Sequence, residues 1–528
     1  MRTRDGAAVG VAAGAVTLGV AELMAALWTG WLGSAGSPSP LLAIGGAFVD
    51  RTPAWLKDWA VSTFGTADKM ALAVGMILVI ATVVAVIGVL NRRRTGLAQA
   101  LFALVGVIGM AAVLSRPGSS APDVLPTVAA TLVGLWLLRA LPRWLADRGD
   151  PQRSDVESLD AGLDGRFDDA DRASRRDVIR VAGGLTVLGI LGVVAGRAMS
   201  AGSATAEKVA RAFRLPTPRT PVSVPAGASL DVPGVTSYLT PNDGFYRIDS
   251  ALQVPRIDPA EWSLRVYGLV DKEIELSFEE LLAEEHLEKL VTLTCVSNEV
   301  GGNLAGNARW IGWPIRELLA RAGVQPEADM VLSRSIDGWT AGTPIEALTD
   351  DRDALLAVGM NGEALPREHG FPVRMVVPGL YGYVSATKWV TELKVTRFDA
   401  DEGYWTPRGW DALGPIKTAS RIDVPRNAET VAAGDVVVAG VAWAQHRGID
   451  AVEVRVDGGD WQAAPLREEP NVDSWRLWSW TWPATEGEHE LEVRATDGNG
   501  EVQTDQIAPP APDGASGYQR IRIKVRAD

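Results

Sequence analysis

The sequence predicts a bundle of five membrane helices, then an α+β domain, then a β-sandwich of the immunoglobulin type. Three observations predict it. Five long apolar runs crowd the first 200 residues; no later run is long enough to span a bilayer; and residues 414–528 alternate apolar and polar residues in short stretches separated by turn residues. The charge divides at the same place. Residues 1–200 hold 19 Lys and Arg against 16 Asp and Glu, and residues 201–528 hold 32 against 49, giving the net −14 of the 528-residue chain. A basic-apolar half joined to an acidic-polar half excludes a single soluble globule. The acidic balance excludes the basic footprint of a nucleic-acid binder. One cysteine excludes an intrachain disulfide framework.

The apolar runs are Ala7–Leu32, Met70–Leu90, Leu97–Leu114, Val124–Leu141 and Val181–Ala198. A helix rises about 1.5 Å per residue, so about 20 residues cross roughly 30 Å of hydrocarbon. Four runs make a membrane region over 1–142, and the fifth makes a further span over 181–199. With the N-terminus cytoplasmic, the inner segments carry 13 Lys and Arg and the short outer loops carry 4. That asymmetry puts the N-terminus inside and everything after about residue 200 outside. Residues 143–180, with eight arginines and ten acids, read as a cytoplasmic linker. Residues 200–236 read as a spacer rich in Ala, Pro, Thr and Ser.

Ser174-Arg175-Arg176-Asp177-Val178-Ile179-Arg180 resembles a twin-arginine export signal in an internal position. Such a signal implies a domain that takes up its cofactor before export. Ala204-Thr205-Ala206 has the small-x-small form of a signal-peptidase site, but retention as an anchor is the expectation. Glu22 lies midway along the first run, where burying a charge is costly, and Gly192-x-x-x-Gly196 suits close helix packing. All four histidines, His286, His369, His446 and His489, follow the membrane region. A membrane-embedded haem with two His ligands is therefore not expected, and no haem is predicted.

The α+β domain covers 237–413. Trp262–Gly268 alternates as a strand, and Ser277 with Glu280 opens a short helix through a capping box. Leu290–Cys295 is a β-rich run that ends at the only cysteine. Trp313–Gly323 reads as a helix with Pro314 in its first turn and Gly323 as its stop. Strand-like runs follow at 330–335, 372–377 and 389–396. In 414–528, strands are expected at Val436–Trp443, Ala451–Val456, Trp475–Trp482, Glu490–Ala495 and Ile521–Val525, with turns at Asp457 and Asp497.

On residues alone Cys295 has three readings: a buried small apolar residue, a nucleophile needing a histidine base, or a soft thiolate ligand. A single thiolate holds no zinc or cluster unaided, but suffices where a cofactor brings the other soft ligands.

Three stretches then resemble the sulfite oxidase family of molybdopterin enzymes. They are Thr294–Asn298 followed by Gly306–Pro314, Leu355–Pro366 continuing through His369 and Arg374 to Gly379, and Ser385–Trp389. Phe245-Tyr246-Arg247 looks like that family's first cofactor-contact strand. Gly440–Ala444, Arg447–Asp450, Glu492–Gly498 and Gly514–Tyr518 resemble its C-terminal dimerisation domain. The resemblance covers about 237–528. It implies a sulfite-oxidase-type fold and a molybdenum–molybdopterin cofactor, with Cys295 ligating the metal beside the two dithiolene sulfurs. It places Asn298 with Cys295 at the catalytic centre. It places Tyr246, Arg247, Ser335, Asp337, His369, Arg374, Ala386, Thr387 and Lys388 on the pterin, although the family's Asn-His after the arginine is Ile248-Asp249 here.

The implied activity is oxygen-atom transfer with a small-molecule oxo donor or acceptor, and the electrons pass to or from an external cytochrome or quinone-linked carrier. A homodimer and a multi-pass location in the cytoplasmic membrane, with the catalytic domain outside, complete the expectation. Two departures bear on substrate. Glu299 stands where the family carries positive charge, and Val358 replaces a pocket tyrosine. Reduction of methionine sulfoxide or another S- or N-oxide is therefore the alternative, and a non-catalytic tethered interaction module is the reading of another class.

Overall fold

The structure is a computed structural model that describes residues 3–32, 38–53, 56, 63, 68–148, 167–201, 213–249, 251 and 254–527. Ala204-Thr205-Ala206 and the middle of the expected linker, 149–166, lie outside the described residues, as do the side chains of Ser174–Asp177. The chain divides into two compact units, Met1–Thr205 with Ala251–Gln253, and the remainder.

The first unit holds α1 (Thr3–Leu32), α2 (Pro40–Arg51), α3 (Asp68–Asn91), α4 (Thr95–Leu114), α5 (Leu125–Arg148) and α6 (Phe167–Ala201). Among the described residues, five stretches in or overlapping these helices are long and apolar enough to cross a membrane: Thr3–Thr29, Met70–Asn91, Thr95–Leu114, Ala121–Trp144 and Arg180–Met199. Helices α5 and α6 run into the expected linker from its two ends, and α6 begins 14 residues before the fifth apolar run. The 12-residue α2 is too short to span and was not expected. It starts at Pro40 behind Ser39, whose side chain caps the backbone of Leu42.

Helix α1 is the hub, packed on α3, α5 and α6. Its glycines let backbones touch: a Cβ on Gly10 would lie 2.1 Å from Val84 O, and one on Gly19 2.5 Å from Gly189 O. Gly192 and Gly196 face α1 in the same way, at Gly19 and Glu22. The outward surface is apolar, with Leu78, Val79, Leu132, Trp136 and Leu188 all more than 60% exposed. Water would penalise such a surface and lipid would not. Glu22 has a basic partner inside the membrane region. Arg197, inside the fifth apolar run, lies 3.7 Å from it, and Ser39 Oγ donates to its other oxygen at 2.7 Å.

The second unit begins with a module of two sheets. Its elements are β1 (Ser263–Gly268), β2 (Ile274–Ser277), α7 (Phe278–Ala283), β3 (Leu287–Thr294), β4 (Ala305–Pro314), α8 (Ile315–Ala322), β5 (Met330–Ser335), β6 (Thr340–Pro344), α9 (Glu346–Thr349), β7 (Leu355–Met360), β8 (Glu363–Ala364), β9 (Arg374–Val376), α10 (Gly382–Ser385) and β10 (Val390–Thr396). One sheet runs β2-β1-β10-β5-β6, and the other runs β3-β4-β7-β8 with β9 on β7. Among the described residues of this module, only β1 and β10 pair in parallel. The capping box at Ser277 and Glu280 forms as expected. The Trp313 helix starts later than expected: Trp313 and Pro314 finish β4, Pro314 becomes the N-cap, and left-handed Gly323 stops the helix. Phe245, Val291, Trp310, Met360 and Phe371 share one core.

The C-terminal module has β11 (Ala419–Val424), β12 (Thr430–Ala432), β13 (Gly434–Trp443), β14 (Ile449–Val456), β15 (Gln462–Ala463), β16 (Arg476–Ala484), β17 (Gly487–Asp497) and β18 (Gln519–Arg526). Sheets β11-β13-β16 and β12-β18-β17-β14-β15 enclose one core around Trp478, Trp482, Val454 and Leu491. All five expected strands are present.

The two modules meet at β3, the edge strand that leads to the cysteine. Thr292 N donates to Asp473 O at 2.9 Å, Asn471 Nδ2 to Leu290 O at 3.1 Å, and Trp475 N to Thr292 Oγ1 at 2.8 Å. Gln445 Nε2 bonds Thr292 O and Thr294 Oγ1. An open sheet edge is thus covered.

Candidate active site

Cys295 stands where β3 leaves its ladder. Its N–H donates to Leu304 O at 2.9 Å, and its carbonyl accepts from Asn298 N at 3.0 Å. Asn298 Oδ1 accepts from Leu304 N at 2.7 Å, so the loop 295–304 is tied at both ends. The thiol is buried. Burial pushes its pKa up, against hydrogen bonds from Ser297 that favour the thiolate. A bound metal reverses such a preference, because a coordinating thiol is deprotonated outright.

Tyr246 is electrostatically coupled to both this thiol and Arg374. Its ring stacks on Phe245 at 5.3 Å, and burial raises its pKa, with Cys295 adding and Arg374 opposing. The segment Phe245–Arg247, expected as a strand, is in no ladder. Its ring contacts with Trp310 and His369 hold Phe245 instead.

Arg374 opens β9 and is 5% exposed. Its guanidinium gives Nη1 to His369 O at 3.1 Å and Nη2 to Ala386 O at 3.4 Å, and sits 5.1 Å over the Trp310 ring. These partners are carbonyls and a ring, and no described ion pair includes it. Burial lowers its pKa to about 10. Gly370, at φ +120°, makes the turn possible, since a Cβ there would lie 2.8 Å from Arg374 Cβ. On the same turn, His369 Nε2 lies 2.8 Å from Asn242 O, and burial lowers its pKa to about 4. The imidazole is therefore neutral at pH 7 and donates through Nε2 to that carbonyl.

Lys388 and Arg247 share one acid. Asp249 Oδ2 accepts from Lys388 Nζ and from Arg247 Nε, each at 3.0 Å, and Lys388 also reaches Glu368 O at 3.1 Å. Burial brings Lys388 to about 8, with Asp249 opposing. The departure at Ile248-Asp249 thus has a structural result: Asp249 neutralises two of the expected pterin contacts, which sequence reasoning did not anticipate.

Ser335 ends β5 opposite Val390, and its buried Oγ has no hydrogen-bond partner. Thr387 Oγ1 is engaged with Ser333 Oγ at 2.7 Å, and Ala386 contributes its carbonyl to Arg374. Asp337 is partly exposed and caps Trp339 N at 3.4 Å. The structure thus gathers Cys295, Tyr246, Arg374, His369 and Ala386 directly, with Lys388, Arg247 and Ser335 joined through neighbouring residues.

A cleft beside the cysteine loop is lined by Thr294, Asn298, Glu299, Tyr381, Gln503 and Ser516. Val358 is wholly buried in β7. The phenols coupled electrostatically to Cys295 are those of Tyr246 and, on the cleft wall, Tyr381. Burial raises the Tyr381 hydroxyl to about 12, with the charges of Asp513 and Cys295 adding, and the hydroxyl accepts from Lys417 N at 3.4 Å. Tyr381 follows the Pro378-Gly379 turn, where the sequence reading sought no phenol. The cations near the cleft are already paired, Lys417 with Asp513 at 3.0 Å and Arg447 with Asp497 at 2.8 Å.

A buried thiol, a buried guanidinium that pairs with no acid and an unpaired buried hydroxyl fit a thiolate-bound metal carried by an anionic cofactor. Comparisons with known proteins agree. The oxidoreductase molybdopterin binding domain family matches residues 251–405. Mitochondrial sulfite oxidase of Homo sapiens is 33% identical over 325 residues, covering 52% of this chain and 58% of that protein. Sulfite oxidase of Gallus gallus is 31% identical over 323 residues, covering 52% and 69%. The crystal structure of the sulfane dehydrogenase SoxCD from Paracoccus pantotrophus aligns with a TM-score of 0.50 and 25% identity, over 55% of this chain and 82% of that one. The chain thus spans well under two thirds of the length of the mammalian relatives it matches.

Proposed function

The chain belongs to the sulfite oxidase family of molybdopterin-dependent oxidoreductases, and from that premise we propose that it is a membrane-anchored, extracytoplasmic enzyme of oxygen-atom transfer. It is an oxidoreductase, and its cofactor is molybdenum–molybdopterin. When bound, the cofactor supplies two-electron chemistry at molybdenum, with water as source or sink of the oxygen.

The observation that carries the site assignment is Arg374, a buried cation without an acid that shares with the buried Cys295 thiol an electrostatic coupling to Tyr246. Cys295 is the metal ligand. Arg374 holds the pterin phosphate by charge-assisted hydrogen bonds, and the unpaired Ser335 hydroxyl supplies a further contact. His369, Lys388, Arg247, Tyr246, Ala386, Thr387 and Asp337 shape the rest of the pterin cradle. Asn298 is a positioning residue, since its amide oxygen is already committed to Leu304 N. The C-terminal module is the immunoglobulin-like dimerisation domain, and the electron partner is an external cytochrome or quinone-linked carrier.

Reduction of a neutral S- or N-oxide is a second reading, favoured by the charge of the cleft. Glu299 is exposed on its wall, and the nearby cations are neutralised by Asp513 and Asp497. Two unit charges 4 Å apart in water interact by about 1 kcal/mol, so the Glu299 carboxylate disfavours sulfite. Glu299→Gln is expected to lower KM for sulfite about threefold to tenfold and to leave KM for methionine sulfoxide unchanged. Assays of the metal-loaded enzyme with sulfite and an oxidised dye, and with sulfoxide and a reduced dye, decide the direction. Loaded enzyme inert in both would overturn the oxygen-transfer reading.

Sidedness rests on the 13-to-4 distribution of Lys and Arg and on the Arg175-Arg176 pair. Arg175→Lys with Arg176→Lys is expected to leave the catalytic domain cytoplasmic, read by protease accessibility in intact spheroplasts. Unchanged accessibility of that domain would reject the twin-arginine route.

A further inference from the structure

Arg256 and Arg367 form a second basic pair, on other partners than the cradle. Arg367 begins the turn whose third residue is His369, but Arg367 Nη2 points to Pro255 O at 3.5 Å, while the His369 ring turns to Asn242. The backbone of Arg367 is fixed by Trp389 Nε1, which donates to its carbonyl at 2.9 Å. The Nε atoms of both arginines are buried and hydrogen-bond to nothing. Neither guanidinium belongs to any ion pair among the described residues. Two other arginines with buried, unbonded Nε atoms do face acids: Arg116 pairs with Asp50 at 2.6 Å, and Arg309 with Glu288 at 3.3 Å. The hydrogen bond from Arg367 Nη2 to Pro255 O sets that guanidinium beside the backbone of Arg256, and burial, with the Arg367 charge adding, lowers the Arg256 pKa.

Adjacent like charges with unbonded donors are unfavourable unless an anion joins them. Two guanidinium forks carry ten N–H donors, of which Arg367 Nη2 gives one to Pro255 O. That suits a tetrahedral oxyanion, whose oxygens accept in bidentate pairs, better than a single carboxylate. We propose that Arg256 and Arg367 bind a phosphate- or sulfate-type oxyanion at a site separate from the pterin cradle. The anion is either a free ion or the phosphate of a lipid headgroup.

The test uses the full metal-loaded chain and inorganic phosphate, with potassium chloride at matched ionic strength as the control. Calorimetric titration in detergent is expected to show saturable phosphate binding. Arg256→Gln and Arg367→Gln should each weaken it at least about tenfold, the loss of one charge-assisted contact. Arg256→Lys, which keeps the charge, should weaken it less. Molybdenum and pterin content should be the same in all variants. No binding, or equal binding in the wild type and the double Gln variant, overturns the proposal. The same titration in phosphatidylglycerol nanodiscs identifies the source. A response lost there but kept in phosphatidylcholine nanodiscs assigns the site to an anionic headgroup, and a response kept in both assigns it to the free ion.

Discussion

Cys295→Ser is expected to lower turnover at least about 1000-fold, or about 4 kcal/mol of activation free energy, while the protein still folds. A serine hydroxyl is a hard, weakly acidic donor in place of a soft thiolate, so the metal loses its protein ligand. The fold has little to lose. Cys295 is held through its backbone, by Leu304 O and Asn298 N, and serine keeps both bonds. The stability change should stay within about 1–3 kcal/mol, the cost of burying a hydroxyl. Pterin should be retained better than molybdenum, because Arg374 and its neighbours are untouched. Metal and pterin analysis of the purified variant reads this as a fall in the molybdenum-to-pterin ratio. A serine variant with full metal content and wild-type rate would remove Cys295 from the centre.

Arg374→Met separates cofactor binding from stability. Charge-assisted hydrogen bonds contribute about 1.5–3 kcal/mol each, so pterin content should fall at least about tenfold. The cofactor-free protein should be no less stable, and up to about 4 kcal/mol more stable in denaturant unfolding, because a buried charge without an acid gives way to an apolar side chain of similar length. Loss of both pterin and fold would make Arg374 a structural residue. Normal pterin in a stable variant would remove it from the cradle.

Much of this was legible in the sequence, for definite reasons. Short β-rich runs carried the strands Met330–Ser335, Val390–Thr396 and the five of the C-terminal module; Gln519–Arg526 alternates with one buried face, whereas Met330–Ser335 is buried on both. Apolar length carried the five long helices. The family resemblance, not side-chain chemistry alone, singled out Cys295 and Arg374 as candidates. What was missed depends on contacts between distant residues. Arg197 was hidden inside an apolar run, and only the packing of α6 on α1 brings it to Glu22. Asp249 looked like a lost family residue until the fold set it between Arg247 and Lys388. Tyr381 takes a place near Cys295 that the family resemblance assigned to the position of Val358. Phe245–Arg247 has strand-like residues but no neighbouring edge to pair with, so ring contacts hold it.

The covered edge of β3 makes the two modules of the catalytic unit thermodynamic partners. Residues 471–475 and Gln445 bond the strand that leads to Cys295, the proposed metal ligand. Unfolding the C-terminal module would bare the amide of Thr292 and the carbonyls of Leu290 and Thr292, three to five residues before Cys295. A ligand that binds only the native state stabilises everything that unfolds together with its site. Cofactor loading therefore protects the distant sandwich as well as the pocket, and damage to the sandwich is felt as weaker retention of molybdenum.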